Sequence, residues 1–186
     1  AVDAFAKELR VTTAADLVNC VTGAPLVDGP DAGKVAAAGD TCVVFPGTYD
    51  LALVGAPADI IIENLTLRST NGATATLITF TGGYAGGLIN IVNRGVTVGG
   101  PAPDQGFTIT NPAPGVVGIC VTDPLPGGGA TCGVTALGGA AANENITIQN
   151  NSIRDNGNEG ILFHYDIAVT AIDTIRILKN EIRNNS

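Results

Sequence analysis

The chain of 186 residues contains no tryptophan and no methionine, and aromatic residues make up only 4% of it. A hydrophobic core must therefore be built mainly from the valine, isoleucine, leucine and alanine of the 45% hydrophobic fraction. Thin, regular layers of β-branched side chains suit this composition better than one large irregular core. A chain of this length buries about 70% of its unfolded surface, which is enough for one well-packed domain.

Basic residues are also scarce, since nine Lys and Arg stand against seventeen Asp and Glu and the formal net charge is −8. Nucleic-acid binding requires clustered Lys and Arg that displace counterions, and an anionic membrane surface attracts the same side chains. The composition therefore argues against both partners. The sequence also lacks a run of about 20 apolar residues of the kind that spans a bilayer, so we expect no membrane insertion.

The four cysteines form two near pairs, Cys20 with Cys42 and Cys120 with Cys132. None belongs to a Cys-x-x-Cys motif, and the single histidine, His164, cannot complete a zinc site with them. We expect two local disulfides, and four buried thiols in a cytosolic protein are the alternative. Disulfides, acidity and an N-terminal Ala-Val-Asp-Ala typical of a processed secretory protein predict an extracellular or cell-surface location.

Two stretches near the end of the sequence repeat each other at one offset of 29 residues. The recurring residues are Ile146, Ile148, Asn151, Ile153 and Arg154, which return as Ile175, Ile177, Asn180, Ile182 and Arg183. A fixed period of this size is typical of a solenoid, in which each repeat buries its apolar face against its neighbour.

Short apolar runs separated by Gly, Pro and Asn predict many short strands. They cover 41–45, 59–63, 65–67, 76–80, 88–92, 96–98, 107–109, 116–121, 146–148, 161–163, 167–169 and 175–178. The runs 65–67, 107–109 and 146–148 share an apolar-Thr-apolar pattern, which places the flanking apolar residues inward and the threonine outward. Asparagine at the bends fits the left-handed backbone that corners require.

Residues 3–19 carry the one helical pattern, and the segment 13–16, Thr-Ala-Ala-Asp, resembles a capping box with Asp in place of Glu. Residues 22–39 are rich in Gly, Pro, Asp and Ala and are predicted to form a loop. We therefore expect an N-terminal cap and loop over 1–38 and a β-domain over 39–186.

The run 39–49, Gly-Asp-Thr-Cys-Val-Val-Phe-Pro-Gly-Thr-Tyr, resembles the first strand of secreted right-handed parallel β-helix proteins. The segment 145–163 is similar to the repeat of pectate-lyase-like proteins. The resemblance covers about residues 39–186, and the insertions at 99–104 and 123–143 depart from it. It implies an all-β fold, a right-handed parallel β-helix of about five or six coils with a short N-terminal helical cap. A β-sandwich or jelly roll is the alternative fold.

Such repeats occur in lyases, hydrolases, adhesins and structural proteins, so the fold leaves the function open. An enzyme acting on acidic polysaccharide would need a base near carboxylates or Ca²⁺, or two opposed carboxylates. The candidate residues are Arg154, Asp155, Glu159, His164, Asp166, Asp173, Arg176, Lys179 and Arg183. The repeat predicts that Arg154 and Arg183 stack on each other. Asp155 and Glu159 are also weak calcium candidates, without EF-hand spacing, and we expect no other cofactor.

The second repeat runs to Ser186 without an amphipathic cap, so Ile175, Ile177 and Ile182 are expected to template association. We interpret the chain as a secreted, non-catalytic structural protein that assembles head-to-tail with copies of itself into a filament or surface layer. The alternatives are an enzyme on acidic polysaccharide and a carbohydrate-binding or adhesive module. Four sequons are candidates for glycosylation, at Asn64, Asn145, Asn150 and Asn184.

Overall fold

The computed structural model describes residues 6–122, 132, 144–164 and 174–186. The elements in chain order are β1 (Glu8–Val11), α1 (Ala14–Thr22), β2 (Thr41–Val44), β3 (Gly47–Asp50), β4 (Ala58–Ile60), β5 (Thr66–Ser69), β6 (Thr76–Thr79), β7 (Gly86–Ile91), β8 (Thr97–Val98), β9 (Thr108–Ile109), β10 (Val116–Thr122), β11 (Ile146–Gln149), β12 (Ser152–Arg154), β13 (Ile161–His164), β14 (Ile175–Leu178) and β15 (Glu181–Arg183). Short 3-10 turns lie at Gly29–Asp31, Leu51–Leu53 and Pro103–Gln105.

The described strands pair in parallel and form three sheets. Sheet A has the order β1-β2-β5-β8-β11-β14, sheet B β3-β6-β9-β12-β15, and sheet C β4-β7-β10-β13. From β2 onward the chain visits sheets A, B and C in rotation, so each strand from β5 on pairs with the strand three before it. The described chain is therefore mostly strands in parallel sheets, with one α-helix. A β-sandwich or jelly roll, the alternative fold, requires antiparallel sheets, and none of the described pairings has that direction.

The register places like residues side by side in columns. In sheet A, Thr41, Thr66, Thr97 and Thr147 are successive partners and all are half-buried. The neighbouring column of Leu9, Cys42, Leu67, Val98 and Ile148 has no exposed surface. Successive side chains of a strand point to opposite faces, so threonines face outward and aliphatic residues fill the core, as the triplets predicted.

The 29-residue repeat corresponds to one step of this stacking. Ile146 pairs with Ile175 in sheet A, and Arg154 lies beside Arg183 in sheet B. Other steps vary in length: 25 residues separate Thr41 from its partner Thr66, 31 separate Asp59 from Asn90, and 50 separate Thr97 from Thr147. Because the steps contain different loops, the sequence shows the repeat only at its last step.

The helical pattern predicted over 3–19 is wrong for residues 8–11, and its residues 3–5 lie outside the described range. The segment Glu8–Val11 is strand β1, in which exposed charged residues alternate with buried Leu9 and Val11. The helix begins only after Thr13, whose Oγ1 accepts the backbone N–H of Asp16 at 3.1 Å. It ends at Gly23, which adopts a left-handed φ of 70°. Period-two alternation in 8–11 was the signal for the strand, and pairing with β2 decided it.

Two disulfides are present, as the cysteine spacing predicted. Cys20–Cys42 joins α1 to β2, and Cys120–Cys132 ties residue 132 to the middle of β10. The strand boundaries agree with prediction within a few residues, but β1, β3, β12 and β15 were missed. The predicted strand 167–169 and most of the insertion 123–143 lie outside the described residues. No helix in the described chain has the length and apolar character needed to cross a membrane.

Candidate functional site

The strands β13, β14 and β15 are the last members of their sheets, and we call the surface that they form the end face. Each pairs with a described strand on one side only. Ile177 and Ile182 are 44% and 48% exposed on this face. Their partners one layer below, Ile148 and Ile153, have no exposed surface at all. These two core positions are exposed on the end face, where no described residue stacks on them.

A depression of about 500 Å³ lies within the end face. Its apolar wall consists of Ile161, Phe163, Ile177 and Ile182, and Glu159 stands at its polar side. The apolar residues continue the columns that form the interior of the lower layers. The depression is therefore the place that core side chains of a further layer would fill.

Two asparagine ladders hold the backbone of this last layer in place. The Oδ1 of Asn180 accepts the N–H of Asn151 at 2.9 Å, and its Nδ2 donates to the carbonyl of Ile148 at 2.7 Å. Asn185 repeats the arrangement with the N–H of Asn156 at 3.1 Å. Asn151 and Asn156 are buried. Because these amides bridge successive layers, the end face has a fixed backbone despite its exposed side chains.

Strand β15 carries opposite charges on either side of Ile182. The Nε of Arg183 lies 3.1 Å from Oε1 of Glu181, whose Oε2 accepts the hydroxyl of Ser152 at 3.0 Å. Both charged side chains are more than half exposed, so this ion pair contributes little to stability. The two charges are therefore free to find partners outside the chain at small cost.

The proposed catalytic residues Arg154, Asp155 and Arg183 do come together on sheet B. Asp155 Oδ2 lies 2.8 Å from Nη1 of Arg154, and its Oδ1 accepts Nδ2 of Asn184 at 3.2 Å. The hydrogen bond from Asn184, followed by that from Arg154, lowers the pKa of the Asp155 carboxyl. A carboxylate held in its ionised form is suited to charge pairing and poorly suited to protonating a leaving group.

The other candidates are separated from this cluster. His164 ends β13 in sheet C, where it lies in register with Thr122. Glu159 lines the end-face depression, whereas Asp155 lines a different depression beside Pro112 and Pro114. The described residues contain no group of three His, Cys, Asp or Glu able to hold a metal. The calcium candidates are thus not brought to one depression, and residues 166 and 173 lie outside the described ranges.

The four sequon asparagines occupy corners of the chain. Asn64, Asn145, Asn150 and Asn184 all have φ between 53° and 57°. This left-handed conformation is one that asparagine tolerates better than most residues. The corner role predicted from sequence is therefore confirmed, while glycosylation stays a prediction. The Nδ2 of Asn150 already donates to the carbonyl of Gly100 at 2.8 Å.

The opposite end of the molecule is covered. Helix α1 packs against β2, β3 and β4. The carbonyls of Lys7 and Val11 accept the N–H groups of Thr41 and Phe45. Because successive residues of a strand direct their backbone groups to opposite sides, the N–H of Arg10 faces away from β2. That N–H donates to Oδ2 of Asp31 at 2.7 Å, and Asp31 also pairs with Lys34. A buried carboxylate therefore blocks the outer edge of the first strand of sheet A.

Sequence reasoning missed a polar cluster beside sheet C. Nδ2 of Asn90 donates to Oδ1 of Asp59 at 2.7 Å, and burial raises the pKa of the Asp59 carboxyl. Burial, helped by the Asp59 charge, also raises the pKa of Tyr84 to about 12. The Tyr84 ring stacks on Phe80 with centroids 4.6 Å apart. The available signal was a polar residue in each of two otherwise apolar runs, Asp59 at the start of 59–63 and Asn90 within 88–92.

No family model, curated protein or solved structure matches the chain. The resemblance to pectate-lyase-like repeats therefore stays a prediction that depends on the motifs at 39–49 and 145–163.

Proposed function

We propose that this chain is a secreted parallel β-helix protein with a structural, non-catalytic role, which associates with copies of itself through the end face. The rotation of the chain through sheets A, B and C supports the β-helix, because each full rotation adds one strand to every sheet. Two disulfides support an extracellular location, since such bonds persist in oxidising compartments.

The observation that carries the association is the contrast between successive layers. Ile177 and Ile182 occupy the same columns as fully buried isoleucines but are nearly half exposed. Burying a side chain of this kind completely contributes about 1.5–3 kcal/mol relative to leaving it exposed. The unpaired edges of β13, β14 and β15 add backbone donors and acceptors that another strand would satisfy. A second β-helical layer supplies both kinds of group at once.

The head-to-tail filament expected from the sequence also needs a receptive N-terminal end. There, Asp31 occupies the edge of β1 and helix α1 covers the strands behind it. The contacts therefore favour one part of the assembly hypothesis, which is association through the end face. The enzyme alternative has less support, because Arg154 and Asp155 are paired with each other and His164 belongs to another sheet.

Sedimentation velocity over a wide concentration range tests the proposal. We expect the wild-type chain to associate reversibly, and the double variant Ile177→Lys/Ile182→Lys to remain monomeric because two charges would be buried in the contact. Leu53→Lys is the matched control, since Leu53 is 83% exposed outside the end face, and we expect its replacement to leave association unchanged. Circular dichroism verifies that all variants fold. A wild-type chain that is monomeric at the highest soluble concentration refutes the proposal.

A further inference from the structure

We infer that the polar cluster beside sheet C is a calcium-binding site, formed by side-chain oxygens of Asp59, Asn90 and Tyr84 and by the main-chain carbonyl of Cys132. The site is independent of the proposed association, because Asp59 and Asn90 belong to β4 and β7, which are not part of the end face. A bound ion would join these two strands to the segment before β7 and to the residue that the second disulfide ties to β10.

The sheet topology brings these groups to one place. Asp59, Asn90 and Cys120 are successive partners across β4, β7 and β10. The hydrophobic residues before and after Asn90 belong to the core, so the Asn90 side chain points to the opposite, outer face of the sheet. The disulfide to Cys120 holds Cys132 beside this column.

Two consecutive glycines make room for the oxygen atoms. A Cβ on Gly87 would overlap Oδ1 of Asn90. A Cβ on Gly86 would lie 2.8 Å from the carbonyl oxygen of Cys132 and 3.0 Å from the hydroxyl of Tyr84. Three oxygens from separate parts of the chain therefore gather over one dipeptide that lacks side chains.

Two of these oxygens are buried without a partner. Burial is the main cause that raises the pKa of Tyr84 to about 12, the Asp59 charge adds to the rise, and the Asn90 side chain counters part of it, so the three groups are neighbours. Yet the Tyr84 hydroxyl and Oδ1 of Asn90 have no hydrogen bond of normal geometry to each other or to any other described residue. Buried polar atoms are rarely left unpaired, and two at one place indicate a bound group.

The charge of the cluster requires that group to be a cation. Oδ1 of Asp59 accepts Nδ2 of Asn90 at 2.7 Å, so the amide donor is already used and its Oδ1 remains as an acceptor. All nine Lys and Arg residues lie within the described part of the chain, and none of them forms an ion pair with Asp59. A carboxylate that is removed from water without a positive partner is costly.

The donor set favours Ca²⁺ among the common cations. Carboxylate, amide and main-chain carbonyl oxygens are the usual calcium ligands, and Ca²⁺ accepts irregular arrangements of them. Mg²⁺ demands near-ideal octahedral geometry and retains several waters. With one carboxylate and otherwise neutral oxygens, the site should be weak, with a dissociation constant of about 10⁻⁴–10⁻³ M. The scarcity of acidic residues also explains why no motif in the sequence indicates it.

Terbium luminescence and thermal unfolding test the site in the wild-type chain. Tb³⁺ replaces Ca²⁺ at oxygen sites, and because the chain has no tryptophan, only a nearby tyrosine can sensitise its emission. We expect sensitised emission that Ca²⁺ displaces, and an unfolding midpoint that is higher in millimolar Ca²⁺ than in chelator, because the ion binds the folded state. Tyr84→Phe should lose the emission.

Calorimetric titration with Ca²⁺ locates the site through variants. Asp59→Asn should weaken binding at least about tenfold, whereas Asp155→Asn/Glu159→Gln, at the acidic pair that the sequence suggested, is the matched control and should bind like wild type. Asn90→Asp places a second carboxylate beside Asp59. Its midpoint in chelator should fall below that of wild type, and Ca²⁺ should raise it by more than it raises the wild-type midpoint. A purely structural role for Asn90 would not produce this rescue.

Circular dichroism verifies that each variant folds, and if Asp59→Asn does not, Tyr84→Phe and Asn90→Asp decide the question. The proposal is wrong if wild type shows neither sensitised emission nor a higher midpoint in Ca²⁺. It is also wrong if Mg²⁺ at the same concentration shifts the midpoint equally, which would indicate general charge screening. Binding that survives Asp59→Asn unchanged, or that disappears in the Asp155→Asn/Glu159→Gln control, would place the ion elsewhere.

Discussion

Asparagine has two separate roles in this chain, which are distinguished by position relative to the corner. Asn145 and Asn150 adopt positive φ and turn the backbone. Asn151 and Asn156, which are 2% and 1% exposed, use their side-chain amides to bridge layers instead. Asparagine thus both turns the backbone at a corner and hydrogen-bonds one layer to the next. It can do both because it tolerates the αL conformation and its side-chain amide carries donors and an acceptor.

Replacing Asn151 should test the bridging role. Its Oδ1 accepts the N–H of Phe107 at 3.0 Å, and its Nδ2 donates to the carbonyl of Val98 at 3.1 Å. Asn151→Ala leaves both buried groups without a partner, so we expect a loss of about 3 kcal/mol in the free energy of unfolding. Urea denaturation measures it. Asn71→Ala, at an exposed asparagine, should change stability by less than about 0.5 kcal/mol. Equal effects would contradict the ladder.

Asp31 should make stability depend on acid pH. Its hydrogen bond from Lys34, and then that from the Arg10 N–H, lower the pKa of this carboxyl below 3.8. The unfolded chain therefore binds a proton more readily, and the contribution is complete above about pH 4 and lost as pH falls through the lower folded pKa. We expect urea unfolding between about pH 2 and pH 5 to show this loss. Asp31→Asn should reduce the slope, and Asp28→Asn, at an exposed position, should retain it. An unchanged slope in Asp31→Asn would contradict the assignment.

At the scale of the element, strands are defined by their neighbours more than by their own sequences. Strand β1 lies in a stretch whose sequence pattern predicted a helix, yet it pairs with β2 along its whole length. Strands β8 and β9 contain only two residues each. Segments this short have no independent stability. They exist because parallel partners on both sides, spaced about 4.8 Å apart, satisfy their backbone groups.

Close stacking also explains glycine in β7. A Cβ on Gly87 would overlap Oδ1 of Asn90 and lie 2.8 Å from Cβ of Cys120. We expect Gly87→Ala to lower the free energy of unfolding by roughly 1–3 kcal/mol, because the sheet would have to shift. Gly83→Ala is the matched control, since its Cβ would meet nothing within 4 Å. Thermal unfolding compares them, and equal midpoints would show that the space beside Gly87 can adapt.

On the scale of the whole molecule, the two ends differ in kind. The N-terminal end carries a capped helix, a disulfide and a carboxylate on its strand edge. The described residues of the other end present isoleucines and three unpaired strand edges. Blocked edges are a common protection against unwanted strand pairing. The proposed association uses the end whose described strand edges are unprotected.

This asymmetry predicts a thermal midpoint that depends on protein concentration. Association through the end face stabilises the folded state by mass action, so the unfolding temperature should rise with concentration. The variant Ile177→Lys/Ile182→Lys should show no such rise. Differential scanning calorimetry over a dilution series measures both. A wild-type midpoint that is independent of concentration would be inconsistent with the proposed association.

The sequence by itself determined the local features. Period-two alternation located most strands, apolar-Thr-apolar triplets assigned their inner and outer faces, and cysteine spacing predicted both disulfides. Asparagine at the bends was also visible, because left-handed corners depend on the residue that occupies them. Each of these features is set by interactions within a few residues or by a strong chemical preference.

Only the tertiary structure decided which residues distant in sequence are neighbours and which sheet each belongs to. Register across steps of 25 to 50 residues puts His164 on a different sheet from Arg154 and Arg183, whose stacking the repeat predicted. The same long-range stacking buries Ile148 and exposes Ile177, although the two residues are identical. Loop lengths and neighbouring strands fix these relations, and no local pattern encodes them.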